Sequence, residues 1–441
     1  MTRWVRVLAA AAIAAALSTV PAPGRAQDDY EIDFSALERS VETKPYSIGG
    51  FVELSPMLAV RDREAAAYRL RALYPNDAKY YRRYDAALRL EGLYRAGIAS
   101  FHGRAEGQAR HEDSDWERSA VLMEAYLSLR PAPGLSIDAG KKSIKWGVGY
   151  AWNPIGFVQR PKDVEDPEEA LVGYTVLAAD WIRSFDGPLA TLAVTPVILP
   201  AADNLNDDFG AGGRVNAAAK IYALIWNTDV DLAVFVGKSR SARFGMDVAR
   251  NLRSNLAIHG EISLTTDAEV PSFDEAGALS VEKSNAVAAL AGVRWLTSSE
   301  ITFIAEYYHD GGGIRADDLE RYYMLVDCAY DAFVESGECA PLVEARRIAG
   351  TVLGRPHAGR DYVYLRASWK EPFDILYFVP AAVSIVNLAD GSASFMPELS
   401  YSPVTNLDVR VQGVITTGGD NTDFGERLNE WRIELRGRYF F

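Results

Sequence analysis

The chain has 441 residues and carries 60 acidic against 46 basic side chains, a formal net charge of −14. This acidity argues against nucleic acid as a partner, because phosphate binding requires clustered lysine and arginine. Beyond the N-terminal region no apolar run is long enough for a transmembrane helix, and no linker or internal repeat divides the chain.

The first 26 residues have the layout of a secretory signal peptide. Two arginines precede an apolar stretch at residues 7–20, and Gly24 and Ala26 place small residues at a cleavage site. A membrane anchor is the alternative, but this stretch is shorter than the ~20 residues that a spanning helix needs. We therefore predict an exported protein with a short periplasmic segment at 27–45.

Residues 46–441 repeat one pattern, a stretch of alternating polarity followed by a turn. In the last stretch one face is oily and ends on an aromatic residue: Trp431, Ile433, Leu435, Gly437, Tyr439 and Phe441. The opposite face is charged: Glu430, Arg432, Glu434, Arg436 and Arg438. Side chains alternate with period two on a strand, and lipid-facing barrel strands show this apolar-out, polar-in arrangement. The pattern predicts an all-β fold, a closed antiparallel transmembrane β-barrel in the outer membrane of a Gram-negative bacterium.

The connections between these stretches predict the strand number. Eight short links are rich in Gly, Pro, Asn and Ser, at 96–97, 131–134, 186–188, 227–228, 251–254, 297–299, 371–372 and 402–406. They alternate with longer polar connections, notably 61–82, 148–170, 200–212, 267–284 and 310–359. Short periplasmic turns and long outer loops are typical of outer-membrane barrels. With both termini in the periplasm, eight turns predict eighteen strands; sixteen is the alternative.

The polar faces of the predicted strands define the candidate pore lining. These side chains are Arg83, Arg89, Glu91, Arg95, Arg104, Glu106, Arg110, Arg118, Glu124, Lys142, Lys220, Arg366, Arg410, Arg432, Glu434, Arg436 and Arg438. Rings of basic side chains select anions. Paired arginine and glutamate side chains can equally brace the inside of a barrel, and the sequence leaves both interpretations open.

Residues 140–173 form the most distinctive segment, where a strand runs into a loop. Lys145, Trp146, Trp152 and Asn153 are the candidates for a loop that folds inward and narrows the pore. The alternative is an aromatic belt followed by a surface loop, and for Trp146 itself we favour a place in the belt.

This segment carries a resemblance. The pattern GK-x-x-x-x-WG-x-G…NP between Gly140 and Pro154, a GGFVEL first strand and the C-terminal Phe resemble substrate-specific outer-membrane porins. The alginate-export-like and related uncharacterised porin families are the most similar in style. The resemblance implies passive diffusion through a monomeric or trimeric barrel, without catalytic residues.

The connection at 310–359 contains a predicted helix. Leu319, Tyr322, Val326, Tyr330 and Phe333 recur at helical spacing within residues 317–334. Such a helix could plug the mouth or only cap the outer surface. The only cysteines, Cys328 and Cys339, form a candidate disulfide, because an exported protein meets oxidising conditions.

The function that these features predict is passive diffusion of small polar solutes, with a preference for anions or sugar acids. The alternatives are a structural or plugged barrel and, less favoured, a lipid hydrolase. No nucleophile motif accompanies the five histidines, so we predict no enzyme, and no residue pattern calls for a metal or cofactor. The expected partners are outer-membrane lipid, the solute, and the barrel-assembly machinery through the C-terminal strand. The oligomeric state stays open.

Overall fold

The computed structural model describes residues 44–73, 78–112, 115–274, 278–354 and 357–441. The predicted signal peptide, residues 1–26, and nearly all of the predicted segment 27–45 lie outside them.

No helix among the described residues is long and apolar enough to cross a membrane.

Eighteen antiparallel strands form one closed barrel, which confirms the predicted fold and the preferred strand number. Each strand pairs with the next along the chain, and β1 closes the ring by pairing with β18. The strands are β1 Tyr46–Arg61, β2 Tyr80–Ala96, β3 Ala99–Glu112, β4 Asp115–Ala132, β5 Leu135–Lys142, β6 Tyr174–Ser184, β7 Leu189–Ala201, β8 Arg214–Ile225, β9 Thr228–Val236, β10 Arg243–Arg253, β11 Leu256–Phe273, β12 Leu279–Leu296, β13 Ile301–Asp310, β14 Asp361–Trp369, β15 Phe378–Asn387, β16 Ala393–Val404, β17 Leu407–Thr417 and β18 Asn429–Phe440.

The alternation of β18 maps onto the two faces of the barrel wall. Ile433, Leu435 and Tyr439 are 44%, 46% and 48% exposed on the outside, where lipid surrounds the wall. The backbone N–H of Phe441 donates to the Gly50 carbonyl, so the last residue completes the closure against β1. An oily outer face and internally satisfied backbone groups are what a spanning barrel requires.

One β-bulge in β4 corrects the predicted orientation of Arg118. Arg104 on β3 pairs with Glu124, but the next residue of β3 pairs with Leu122, so Met123 is the extra residue. A one-residue slip moves every following side chain to the other face. Arg118 therefore lies opposite Ala109 on the outer face, and the prediction that it lines the pore is wrong.

The eight short connections lie at the predicted places, although the one predicted at 371–372 spans residues 370–377, and the long connections differ in detail. The predicted loop at 267–284 is mostly strand, since β11 extends to Phe273 and β12 starts at Leu279. The pairing of β11 with β12 shifts register between Thr265 and Ala268 and then continues to the ends of both strands. The predicted loop at 148–170 is a longer excursion, residues 143–173, between β5 and β6.

Three helices pack together at the outer ends of the strands: α1 (Ala66–Arg69), α2 (Ala316–Ser336) and α3 (Ala340–Val352). Helix α2 confirms the predicted helix, whereas α3 was not predicted. Asp318 of α2 accepts from the Phe273 N–H at the end of β11, and Asp327 pairs with Arg69 beside β1. Because β1 and β11 lie on opposite sides of the ring, α2 crosses the mouth. We call α2 and α3 the helical cap.

The structure corrects the predicted disulfide. Cys328 and Cys339 are both exposed, free thiols. Cys328 lies eight residues before the end of α2 at Ser336, about 12 Å along the helix axis, while Cys339 precedes α3. A disulfide requires Cα atoms within about 7 Å.

A loop folded into the barrel

The connection between β5 and β6, residues 143–173, lies inside the lumen, and we call it the inner loop. It contacts β11, five strands beyond β6, through Val148 and Glu261. It also contacts β18, five strands before β5 on the other side of the ring, through Glu165 and Arg432. A segment that touches both walls crosses the lumen, so the inward-folding loop predicted from the sequence is present.

The first part of the inner loop, residues 146–155, winds around two carboxylates of the wall, and we call it the glycine turn. Glu261 of β11 accepts from the backbone N–H groups of Val148, Gly149 and Ile155 at 2.7, 2.7 and 3.1 Å. The side-chain amide of Asn153 donates to the same carboxylate at 3.0 Å. Glu261 is only 4% exposed, so these donors replace water around a buried charge.

Glu306 of β13 holds the middle of the glycine turn in the same way. It accepts from the N–H groups of Tyr150 and Ala151, the latter at 2.8 Å. His259 Nε2 lies 2.7 Å from the same carboxylate, which is 1% exposed. Glu261 and Glu306 lie more than 100 residues from the glycine turn along the chain, so the sequence alone could not pair them with it.

The WG-x-G motif is explained by this wrapping. Gly147 has a φ of +95°, and a Cβ there would lie 2.6 Å from the Glu261 carboxylate. A Cβ at Gly149 would lie 2.0 Å from the Trp152 carbonyl oxygen. Only glycine leaves room for the backbone to close around the carboxylate.

Trp146 does not lie in an aromatic belt, and that prediction is wrong. It is 3% exposed and packs inside the barrel with Ile155 and Phe157 against an apolar patch of the inner wall. The wall side of this patch includes Val176 of β6 and Val197 of β7. Strands β6 and β7 are apolar on both faces, which was the signal in the sequence for a covered inner face.

The later part of the inner loop, residues 165–169, binds arginines, and we call it the acidic segment. Asp166 accepts from Arg410 at 2.8 Å and from Arg436 at 2.9 Å. Burial alone would raise the pKa of the Asp166 carboxyl, but the two guanidinium groups hold this pKa below its usual range.

Two further carboxylates anchor the acidic segment. Glu165 pairs with Arg432, and Glu169 pairs with Arg89 at 2.7 Å and with Arg438 at 3.4 Å. Burial raises and these arginines lower the pKa of Glu169, with a net downward shift. The loop therefore occupies five of the predicted lumen arginines, which are Arg89, Arg410, Arg432, Arg436 and Arg438.

Most other predicted lining residues pair with the wall itself. Arg89 also binds Glu106 at 2.6 Å, Arg104 binds Glu91 and Glu124, Arg83 and Arg110 bind Asp85, Glu434 lies 3.6 Å from Arg83, Lys142 binds Asp138, and Lys220 binds Asp231. Arg95 has the same inward parity as Arg89. These contacts match the bracing interpretation, while a role for the same residues in lining an open pore stays a prediction.

Two cavities flank the inner loop. The one toward the long connections has a volume of 970 Å³ and is bordered by Trp152 and Asn153. The one toward the short turns has a volume of 660 Å³ and is bordered by Lys145. Gln159 and Lys162 border both cavities, so they form the septum between them. Sequence reasoning missed both septum residues, which lie in the run FVQRPK after the motif.

The septum is fixed by hydrogen bonds to the glycine turn. Lys162 Nζ donates to the carbonyls of Gly149 and Tyr150 at 2.7 and 2.9 Å. Burial lowers the pKa of this ammonium group, and the carboxylates of Glu306 and Glu261 oppose the shift. Trp152 stacks on Tyr308 at 5.0 Å and closes one side of the larger cavity.

No protein-family model matches the chain, and no curated protein matches it. Among solved structures, OccK5 of Pseudomonas aeruginosa is 10% identical with a TM-score of 0.50, over 90% of this chain and 98% of that one. OccAB1 of Acinetobacter baumannii is 9% identical with a TM-score of 0.50, over 89% and 96%. The chain has the fold of a Gram-negative outer-membrane porin.

A mutant of the Rh. blastica porin is 12% identical to this porin-type barrel, with a TM-score of 0.44 over 90% of this chain and all of that one. Identities this low show the fold alone. The resemblance to alginate-export-like porins therefore stays a prediction.

Proposed function

We propose that this barrel is a passive outer-membrane channel for small polar anions, including sugar acids. The path runs from the 970 Å³ cavity past Lys162 to the 660 Å³ cavity. The proposed selectivity comes from basic side chains other than the arginines in ion pairs, because the carboxylate of an ion pair neutralises the charge of its arginine.

The observation that supports anion preference is a set of basic side chains at these cavities that have no carboxylate within ion-pair distance among the described residues. They are Lys145, Lys162, Lys238, Arg240, Arg243, Arg294 and Arg366. The three carboxylates of the smaller cavity have partners of their own. Tyr222 donates to Asp229, Tyr150 donates to Glu168, and Glu169 pairs with Arg89 and Arg438. Unpaired basic groups along a narrow path favour anions.

Planar-bilayer recordings in a salt gradient test the proposal. We expect the reversal potential of the wild-type channel to show anion preference, and the triple change Lys145→Gln, Arg294→Gln and Arg366→Gln to shift it toward cations. Arg183→Gln is the matched control, because this arginine lies on the outer face beside Phe185.

Liposome swelling gives a second readout. Uptake of a uronic acid should exceed uptake of the corresponding neutral sugar, and the triple variant should reduce this difference. Clear cation selectivity of the wild type contradicts the proposal. Absence of any conductance supports the plugged, structural barrel instead.

A further inference from the structure

An aromatic and basic patch lies on the outer face of strands β2, β3 and β4. Tyr84, His111 and Trp116 form a continuous stack, with ring centroids 6.3 and 4.8 Å apart. Tyr84 and Trp116 are 51% and 53% exposed, so the stack faces the surroundings of the barrel.

Two arginines flank this stack on the same face. Arg118 points outward because of the bulge at Met123 and lies one outward position from Trp116. Arg82 lies opposite Leu58, which pairs with the lipid-facing Ile433, and one outward position from Tyr84. Both arginines are exposed, and neither makes an ion pair with a residue that the structure describes.

The height of the patch follows from strand geometry. Phe101 marks the periplasmic end of the outer face of β3, and His111 lies 111 − 101 = 10 residues further along the same strand. At ~3.4 Å per residue and a tilt of ~40°, this places the stack about 26 Å higher, close to the ~25 Å height of the apolar band. The patch is therefore level with the headgroups of the outer leaflet.

Three strands on one side of the patch and beyond it show that such charges do not occur on every strand of the wall. Outward positions of β1, β17 and β18 carry no charged side chain along their described ladders. A lipid-facing arginine without a counterion is unfavourable except close to the interface, where an anionic headgroup can neutralise it. The chain is acidic overall, so this positive patch also stands out electrostatically.

We propose that Arg82 and Arg118, with the Tyr84–His111–Trp116 stack, form a binding surface for the phosphate groups of outer-leaflet lipid A. The guanidinium groups bind the phosphates, and the rings contact the sugar and the upper acyl chains. The surface is on the outside of the wall, so it is independent of the proposed channel function.

Native mass spectrometry of the purified full barrel with bisphosphorylated lipid A tests this surface. We expect the wild type to retain lipid A and the double variant R82Q/R118Q to bind it roughly 30-fold more weakly, since each arginine near an anionic lipid contributes about fivefold. R183Q removes one outward arginine at the periplasmic end and should bind like the wild type. Circular dichroism and unchanged conductance establish that each variant is folded.

Two further arms identify the ligand chemistry. Dephosphorylated lipid A should bind wild type and R82Q/R118Q equally weakly, and inorganic phosphate at the same concentration should not displace bisphosphorylated lipid A. Equal retention by wild type and R82Q/R118Q overturns the proposal. Retention that does not depend on the lipid phosphates, or displacement by inorganic phosphate, overturns it as well.

Discussion

The two ends of the inner loop are held by opposite arrangements of charge. At the glycine turn the wall provides the carboxylates of Glu261 and Glu306, and the loop provides backbone N–H groups. At the acidic segment the loop provides the carboxylates, and the wall provides arginines such as Arg410 and Arg436. One loop is thus fixed once by its backbone and once by its side chains.

The two ends also differ in their access to water. Glu261 and Glu306 are 4% and 1% exposed, so water cannot replace a lost hydrogen bond there. In the acidic segment, the side chains of Glu165 and Glu169 are each 33% exposed, so solvent screens their pairs. We conclude that the glycine turn contributes most of the free energy that holds the loop in the lumen and that the acidic segment contributes a smaller part.

The largest expected effect is that of Glu261→Ala. It removes the acceptor of three backbone N–H groups, two of them buried, and one of the two acceptors of the Asn153 amide, which destabilises the docked loop by about 4 kcal/mol. Single-channel recordings should show higher and noisier conductance. Glu91→Ala is the control, because Glu91 binds Arg104 of the wall and no other side chain that the structure describes. Equal behaviour of both variants contradicts the assigned role of Glu261.

A smaller effect is expected from Gly149→Ala. The added methyl group overlaps the Trp152 carbonyl and forces the turn open, at about 2–3 kcal/mol. Limited proteolysis within residues 143–173 should accelerate relative to the wild type. Gly107→Ala is the matched control and should be cleaved like the wild type, since a Cβ at Gly107 meets no atom within 4 Å. Unchanged proteolysis of Gly149→Ala would show that the turn tolerates a side chain.

The smallest effect is expected from acidification. The pKa values of Asp166 and Glu169 are lowered by their arginines. Their contribution to the free energy that docks the loop is therefore fully present above the ordinary carboxyl pKa of about 4, and it is lost as the pH falls through the lowered values. Between pH 7 and pH 3 the acidic segment should weaken by about 1 kcal/mol per pair, and conductance fluctuations should increase. The variant D166N/E169Q should show those fluctuations already at pH 7, with a smaller further change on acidification. A pH response identical to that of the wild type would assign the effect to other groups.

The barrel was predictable because its information is local. The two faces of β18 are readable from one stretch of residues, and each short turn is recognisable from its own Gly, Pro, Asn or Ser content. Repetition of this local signal along the chain was enough for eighteen strands.

The site was less predictable because its contacts are distant in sequence. Glu261 lies 112 residues from Gly149, and Arg436 lies 270 residues from Asp166, and no periodicity links either pair. The orientation of Arg118 failed for a different reason, since a single inserted residue at Met123 inverts the alternation without any polar or glycine signal. Helix α3 was missed although Leu342, Ala345, Ile348 and Val352 have helical spacing.

The helical cap contains the only two cysteines of the chain, and both thiols are free and exposed. A maleimide dye or spin label therefore attaches to the cap without any substitution in the barrel. Cys328 lies within α2 and Cys339 directly before α3, so labels on the two thiols measure a distance between the two helices. Distance changes between these labels during voltage or solute gradients would report cap movement in the unaltered protein.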